Sequence, residues 1–509
     1  MRLHRLLLLL VLAVAFAGCG ASPGGAGGGG ADPAQVVPAG SLFYAEAVVR
    51  PDGGQRDNVD QLLRRFLGDR KVSDFVDEAL KSDHKSQTYA KDIEPWLGQR
   101  VGIGVTNVAA DKPGFVGAVA VQDPAKARDF VKSISPGGAA KTYKGTSYYS
   151  DSNMVAGVVG DYIAFAGNEA DFERAVDTEA GNSLGDADRY KTAIAKLPDE
   201  RLGATYFDLN SLVDLVAKDP SAGPAAGAIV KQFLGDNAPP TTAALTAKAD
   251  SATVESRFSG AGVSRLAALG LLGGGRSTPL VRDAPAGSWG VFGAADVGPS
   301  LKKALGTFAG ALGGAALTGQ LEQRTGVNLD RDVFSWVGDL SVFVRGTSIT
   351  TLDGAAVISV TDQAAARAAI PRLVAAARRS GAAVQGATVP GAEQAFSVPL
   401  PNAPGPLVLA MGGDRVVLAI GEQAAAEGLK PSKTIGDTGL YDRAKGAVDG
   451  IEPSFILDAP TVVRLIGANA GGDPGFARAQ PYLDKLDLLV TGSEKDGDGL
   501  RSLFTVKAK

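Results

Sequence analysis

Asp92-Ile93-Glu94-Pro95-Trp96-Leu97-Gly98 and Asp332-Val333-Phe334-Ser335-Trp336-Val337-Gly338 share one pattern, Asp-aliphatic-x-x-Trp-aliphatic-Gly, and stand 240 residues apart (96 to 336). They hold two of the three Trp residues of the chain. Other pairs keep the same order around them. Pro38-Ala39-Gly40-Ser41 returns as Pro285-Ala286-Gly287-Ser288, Gly160-Asp161 returns as Gly413-Asp414, and Tyr190 and Asp208 return as Tyr441 and Asp458. Matches that hold their order over most of a chain point to one structural unit written twice, which has to be recognised before local structure is read.

Within the first copy, hydrophobic alternation predicts strands at Ser41 to Val49, Val101 to Asn107 and Gly114 to Gln122, with helical patterns at Gln61 to Leu67 and Phe75 to Lys81. Asp123-Pro124 predicts a helix start, since Asp caps free N–H groups and Pro suits the first helical position. Asp362 takes the matching place before Gln363 to Ala377. Further strands are expected near Lys141 to Tyr149, Met154 to Val159, Tyr162 to Gly167 and Gly203 to Asp208, with helices at Ala170 to Val176, Tyr190 to Leu197 and Ser211 to Ala217. A last hairpin, Thr242 to Phe258, has its counterpart at Leu486 to Val506. Short turns between strands require antiparallel pairing, and the interposed helices need a sheet face to cover. The expected class is therefore α+β: two tandem homologous lobes, each a mainly antiparallel sheet with helices packed on it. The expected boundaries are 1–18 signal peptide, 19–36 tether, 37–260 first lobe, 261–280 join and 281–509 second lobe. Trp96, Gly98 and Asp208, with Trp336, Gly338 and Asp458, are the anchors of the repeat. The paired Trp residues read as helix-end packing anchors, the alternative being a stacking platform for a ligand such as a sugar.

The duplicated pattern, with Pro38-Ala39-Gly40-Ser41-Leu42-Phe43-Tyr44 and Trp96-Leu97-Gly98 and their second copies at Pro285 and Trp336, resembles a family of bacterial exported proteins known only as a domain of unknown function, family 3352, found in actinobacteria and cyanobacteria. The resemblance spans nearly all of the chain from Pro38 and implies a fold, with no activity or site to carry over.

The first residues read as an export address. Arg2, His4 and Arg5 precede an unbroken apolar run from Leu6 to Phe16, too short to span a bilayer and of the length of a signal-peptide core. Phe16-Ala17-Gly18-Cys19 resembles a bacterial lipobox with Phe in place of the more usual Leu, and this implies a lipid on Cys19 after cleavage before it. The alternative is a plain secretory signal with a free thiol. Seven glycines between Gly20 and Pro33 read as a flexible tether. The expected location is the extracytoplasmic side of the cell membrane, with the membrane itself a partner through Cys19.

Over 509 residues, 45% hydrophobic and 21% charged content exclude a wholly disordered or fibrous chain. A net charge of −4 with basic residues at most in pairs argues against nucleic acid. With 2 His and 1 Cys, little is left for nucleophilic or zinc chemistry. His84 lies in a polar run, and Gly181-Asn182-Ser183-Leu184-Gly185 fits G-x-S-x-G without the strand before it and the helix after it that a nucleophile elbow needs. Asp496-Gly497-Asp498-Gly499 reads as a hairpin turn rather than half of a calcium loop. No catalytic residue, metal or cofactor is expected. Lys126, Arg128 and Lys132, with Arg367, Arg372, Arg378 and Arg379, read as solvent faces, or as a patch for anionic headgroups or wall polymer. Two functions stay open: a non-catalytic envelope protein binding a protein, polymer or apolar ligand, and an envelope hydrolase working with a carboxylate pair.

Overall fold

Strands whose successive residues enter apolar clusters on opposite faces bury both sides of a sheet, and this protein holds such strands. The computed structural model describes residues 31–509 except 69, 72, 75, 79–87, 108–113, 136–137, 152–153, 179–180, 212–237, 261–276, 303–313, 402, 471 and 498. The chain divides into two compact units at 257/258.

The first unit contains β1 (Phe43–Val48), α1 (Gly53–Leu67), a π-helical turn (Tyr89–Ile93), β2 (Leu97–Asn107), β3 (Gly114–Val121), α2 (Pro124–Ile134), β4 (Ala139–Tyr143), β5 (Thr146–Ser150), β6 (Val155–Val159), β7 (Tyr162–Ala166), α3 (Glu169–Thr178), α4 (Asp188–Ile194), β8 (Gly203–Phe207), β9 (Thr241–Lys248) and β10 (Ser251–Phe258). Its strands lie in the order β4-β5-β6-β7-β3-β2-β1-β8-β9-β10, every pair antiparallel. Along β7, Tyr162, Ala164 and Ala166 enter one buried cluster while Ile163 and Phe165 enter another, so period-2 alternation feeds two cores. On one face lie a 3-10 turn (Pro33–Val36), α3 and α4. On the other lie the π-helical turn and α2, whose Ala127, Phe130, Val131 and Ile134 form a single helical stripe.

The second unit contains α5 (Pro279–Arg282), β11 (Ser288–Ala294), α6 (Gly314–Thr325), a π-helical turn (Asp330–Phe334), β12 (Val337–Arg345), β13 (Asp353–Val360), α7 (Gln363–Arg379), β14 (Gln385–Gly386), β15 (Gln394–Val398), β16 (Leu407–Gly412), β17 (Arg415–Ile420), α8 (Glu422–Leu429), α9 (Gly439–Ala447), β18 (Pro453–Asp458), α10 (Ala459–Ala470), α11 (Pro474–Leu483), β19 (Leu486–Asp496) and β20 (Gly499–Ala508). Its strand order, β14-β15-β16-β17-β13-β12-β11-β18-β19-β20, is again wholly antiparallel. One face is covered by α5, α8 and α9, the other by α7 and Trp336.

The α+β class and antiparallel pairing agree with the sequence reading, and both Asp caps form: Asp123 accepts from the N–H groups of Ala125 and Lys126 at 3.1 Å, Asp362 from Ala365 at 2.9 Å. Several expectations need correction. Helices cover both faces of each sheet, where the sequence reading required only one. The strand expected at Lys141 to Tyr149 is a hairpin, because Lys144 and Gly145 take left-handed φ values of 44° and 85° and turn the chain back on itself. The first helix begins at Gly53 rather than Gln61, its opening Gly pair hiding it from propensity. The tether expected to run through residue 36 ends sooner, since Pro33, Ala34 and Val36 are buried on the sheet. Residues 1–30, most of the expected join, His84 and nearly all of the helix expected at Ser211 to Ala217 lie outside the described residues.

Candidate functional site

The repeated heptapeptide is a joint between a π-helical turn and a strand. Asp92 Oδ2 accepts from Thr88 N–H at 2.8 Å and its carbonyl accepts from Trp96 Nε1 at 2.7 Å. Asp332 does the same with Asn328 N–H (2.9 Å) and Trp336 Nε1 (2.8 Å). The Trp rings are 2% and 4% exposed, and Trp96 packs on Phe130 with centroids 4.8 Å apart, so neither offers an open stacking surface. Gly98 and Gly338 follow where each ladder shifts register; a Cβ at Gly98 would stand 2.7 Å from the Ala120 carbonyl oxygen, and one at Gly338 2.5 Å from Ser359 Oγ. Asp208 directly follows β8, accepting from Asn210 N–H, Ser211 Oγ and Arg189. Asp458 ends β18 and accepts from Thr461 Oγ1 as α10 begins. Cys19 lies outside the described residues.

The burial of Asp332, Asp171 and Glu46 was not legible in the sequence. Asp332 is 0% exposed; its Oδ1 accepts from Arg331 Nε (2.9 Å) and Arg372 Nε (2.7 Å), and its Oδ2 also accepts from Arg331 Nη2 (2.8 Å). The bidentate Arg331 fork, with the Asn328 N–H and Arg372, holds its carboxyl well below the usual carboxylate range. Asp171, equally buried, is held by Arg174, Asn168 Nδ2 (2.7 Å) and Thr106 Oγ1 (3.0 Å). Glu46 differs from both. Its side chain is 6% exposed on β1, yet its nearest donors are distant: Arg201 Nε and Tyr44 Oη at 3.4 Å, Arg100 Nη1 at 4.0 Å. Burial, and then the Asp32 carboxylate, push its carboxyl upward. Beside it lies a chain of buried tyrosine rings, Tyr44 to Tyr190 to Tyr206, meeting edge to face at 5.7 and 5.3 Å. Burial raises the phenols of Tyr44 and Tyr190, and that of Tyr162 is pushed up to about 12.

The G-x-S-x-G match is structural. Ser183 is fully buried in a loop after α3, where its Oγ meets Asp186 Oδ2 at 2.8 Å and Gln35 Oε1 at 3.2 Å. Basic residues of α7 are engaged within the chain: Arg367 on Glu393, Arg372 on Asp332, Arg378 on the Val384 carbonyl and Arg379 on the Thr325 carbonyl. An open groove of about 450 Å³ runs between α10 and α11, floored by Val463 and Phe476 and edged by Arg464, Asp484 and Lys509. Among the described residues no three His, Cys, Asp or Glu gather as metal ligands, and no helix is long and apolar enough to cross a membrane.

Residues 5–263 match the family described as protein of unknown function DUF3352, and the chain belongs to that family. No curated protein matches the sequence. Among solved structures, crystal forms I and III of TP0453 align at 14% identity over 45% of this chain and 79% and 80% of theirs, with TM-scores of 0.26 and 0.27.

Proposed function

We propose that this DUF3352 member is a lipid-anchored protein of the extracytoplasmic membrane face, built from a duplicated α+β unit and serving to bind or position an envelope protein, polymer or apolar ligand without catalysing a reaction. The observation that carries the reading is the run from Leu6 to Cys19, where an eleven-residue apolar core ends on Phe-Ala-Gly and the only Cys of the chain. Support for duplication comes from the paired motifs, the identical strand order of the two sheets and the matching Trp joints. The non-catalytic reading draws on the buried acids, each held near at least one Arg, and on a Ser183 that is enclosed.

The test is metabolic labelling with a radioactive fatty acid, followed by fractionation of cells expressing wild type and Cys19→Ala. Label and membrane association in wild type, both lost in the variant, support the anchor. Unlabelled wild type, or wild type found free in the medium, overturns it.

A further inference from the structure

The segment Asp32–Val37 is a strap laid across the sheet over Glu46. Glu46 faces Gly102 on the neighbouring strand, and the missing Cβ there is what admits the strap: a Cβ at Gly102 would stand 2.8 Å from Pro33 and 2.6 Å from Tyr44 Oη, and one at Gly104 would stand 2.3 Å from Val37. Side attachments hold the strap down. Leu184 N–H donates to the Val37 carbonyl (2.6 Å), Gly185 N–H to that of Ala34 (2.9 Å) and Tyr162 Oη to that of Asp32 (2.8 Å). The groups that face Glu46 are Asp32 on the strap, Tyr44 on its own strand, Arg100 on β2, Arg201 before β8 and Tyr190 on α4. None makes a short bond to it.

The topology does not demand a buried acid at this place. Ser41 and Ser288 each bond the carbonyl three residues back, at 2.8 and 2.7 Å, and five residues after Ser288 the position of Glu46 is taken by Gly293. There the covering segment seats through Val281 and Thr278, and Thr278 Oγ1 donates to Asp339 at 2.6 Å. The second unit thus closes the same position with a satisfied hydrogen bond, the first with an ill-satisfied carboxyl under a strap that carries another.

We propose that Asp32–Val37 is a proton-operated strap, seated while Glu46 is protonated and released more readily once Glu46 is ionised, so that neutral conditions uncover Tyr44 and the Gly102 to Gly104 stretch of β2. Lifting the strap returns water to the carboxylate and separates it from Asp32, which favours the ionised form in the open state. The closed state therefore holds the proton more tightly, and opening grows as pH rises, by at most about tenfold per pH unit for one linked proton. The strap requires no lipid on Cys19, so failure of the anchor reading leaves it standing, and the reverse.

The test is amide hydrogen exchange of the purified full chain between pH 5 and 8, corrected for intrinsic rates and read at Leu184 and Gly185, whose N–H groups end on strap carbonyls, with Ala118 in the β3 ladder as reference. Opening at these amides that rises with pH in wild type, flattens in Glu46→Gln and leaves Ala118 unmoved supports the strap. Asp32→Asn, which keeps an oxygen for the cap on Ala34, is expected to lower opening at pH 7 while retaining a slope. A flat wild-type profile, or an undiminished slope in Glu46→Gln, overturns the proposal.

Discussion

Asp332→Asn should weaken the second unit by about 3 kcal/mol. The wild-type carboxylate is wholly buried and accepts four hydrogen bonds, three from two guanidinium groups and one from the Asn328 N–H. Asparagine keeps the shape and one acceptor oxygen, but turns an NH2 group toward donors and removes the charge that two arginines surround. Removing one partner of a buried ion pair costs about 3 to 5 kcal/mol. Arg331 and Arg372 have 55% and 39% exposed side chains, so water recovers part of their loss and the low end applies. For a unit of this size that corresponds to a fall in Tm of about 6 to 12 °C. The sign with pH follows from the depressed carboxyl: the stabilisation is complete above the ordinary carboxylate range and is lost as pH falls through the folded value, so wild type and variant should converge in acid. Calorimetry of the full chain at pH 7, 5 and 3 measures this. A loss under about 1 kcal/mol at pH 7, or a gap that widens on acidification, would show that the arginine pair does not hold the joint.

Trp96→Ala and Trp336→Ala should each cost about 3 to 5 kcal/mol in their own unit, seen as a lowered transition for that unit alone; unchanged melting in both would remove the packing role. Gly98→Ala should be far more costly than Gly40→Ala, because a Cβ at Gly98 strikes the Ala120 carbonyl whereas one at Gly40 meets nothing within 4 Å, and chemical denaturation of the pair decides it. Glu46→Gln should lose stability relative to wild type as pH falls from 7 toward 4, since a raised carboxyl stabilises the folded state in acid and that contribution disappears as pH rises through its folded value; parallel pH–stability curves would refute it. Ser183→Ala should cost about 1 to 2 kcal/mol through its lost hydrogen bonds to Asp186 and Gln35.

What could be read from the sequence was periodic or repeated. The Trp joint, the Asp123 and Asp362 caps and the β9–β10 hairpin were visible because each is written within a few consecutive residues. The β4–β5 hairpin was missed because Lys144 is an uncommon residue at positive φ, and so the run read as one strand. The strap was hidden by composition: Pro33 and Val37 follow a glycine-rich stretch and seat over Gly102 and Gly104, some seventy residues later. Part of the surroundings of two buried acids was invisible for the same physical cause. Arg372 lies 40 residues from Asp332 and Arg201 155 from Glu46, and no local spacing reports such pairings.

A strand enclosed on both faces has no forgiving side. In β7 all five residues are enclosed, and the large side chains Ile163 and Phe165 point away from Tyr162. Inserting a single residue before Tyr162 would exchange the occupants of both interiors at once, placing Ile163 and Phe165 where Ala164 and Ala166 now fit. Saturation mutagenesis of β7 should accordingly yield an unbroken block of sensitivity, whereas a strand with one wetted side would tolerate change at every second codon.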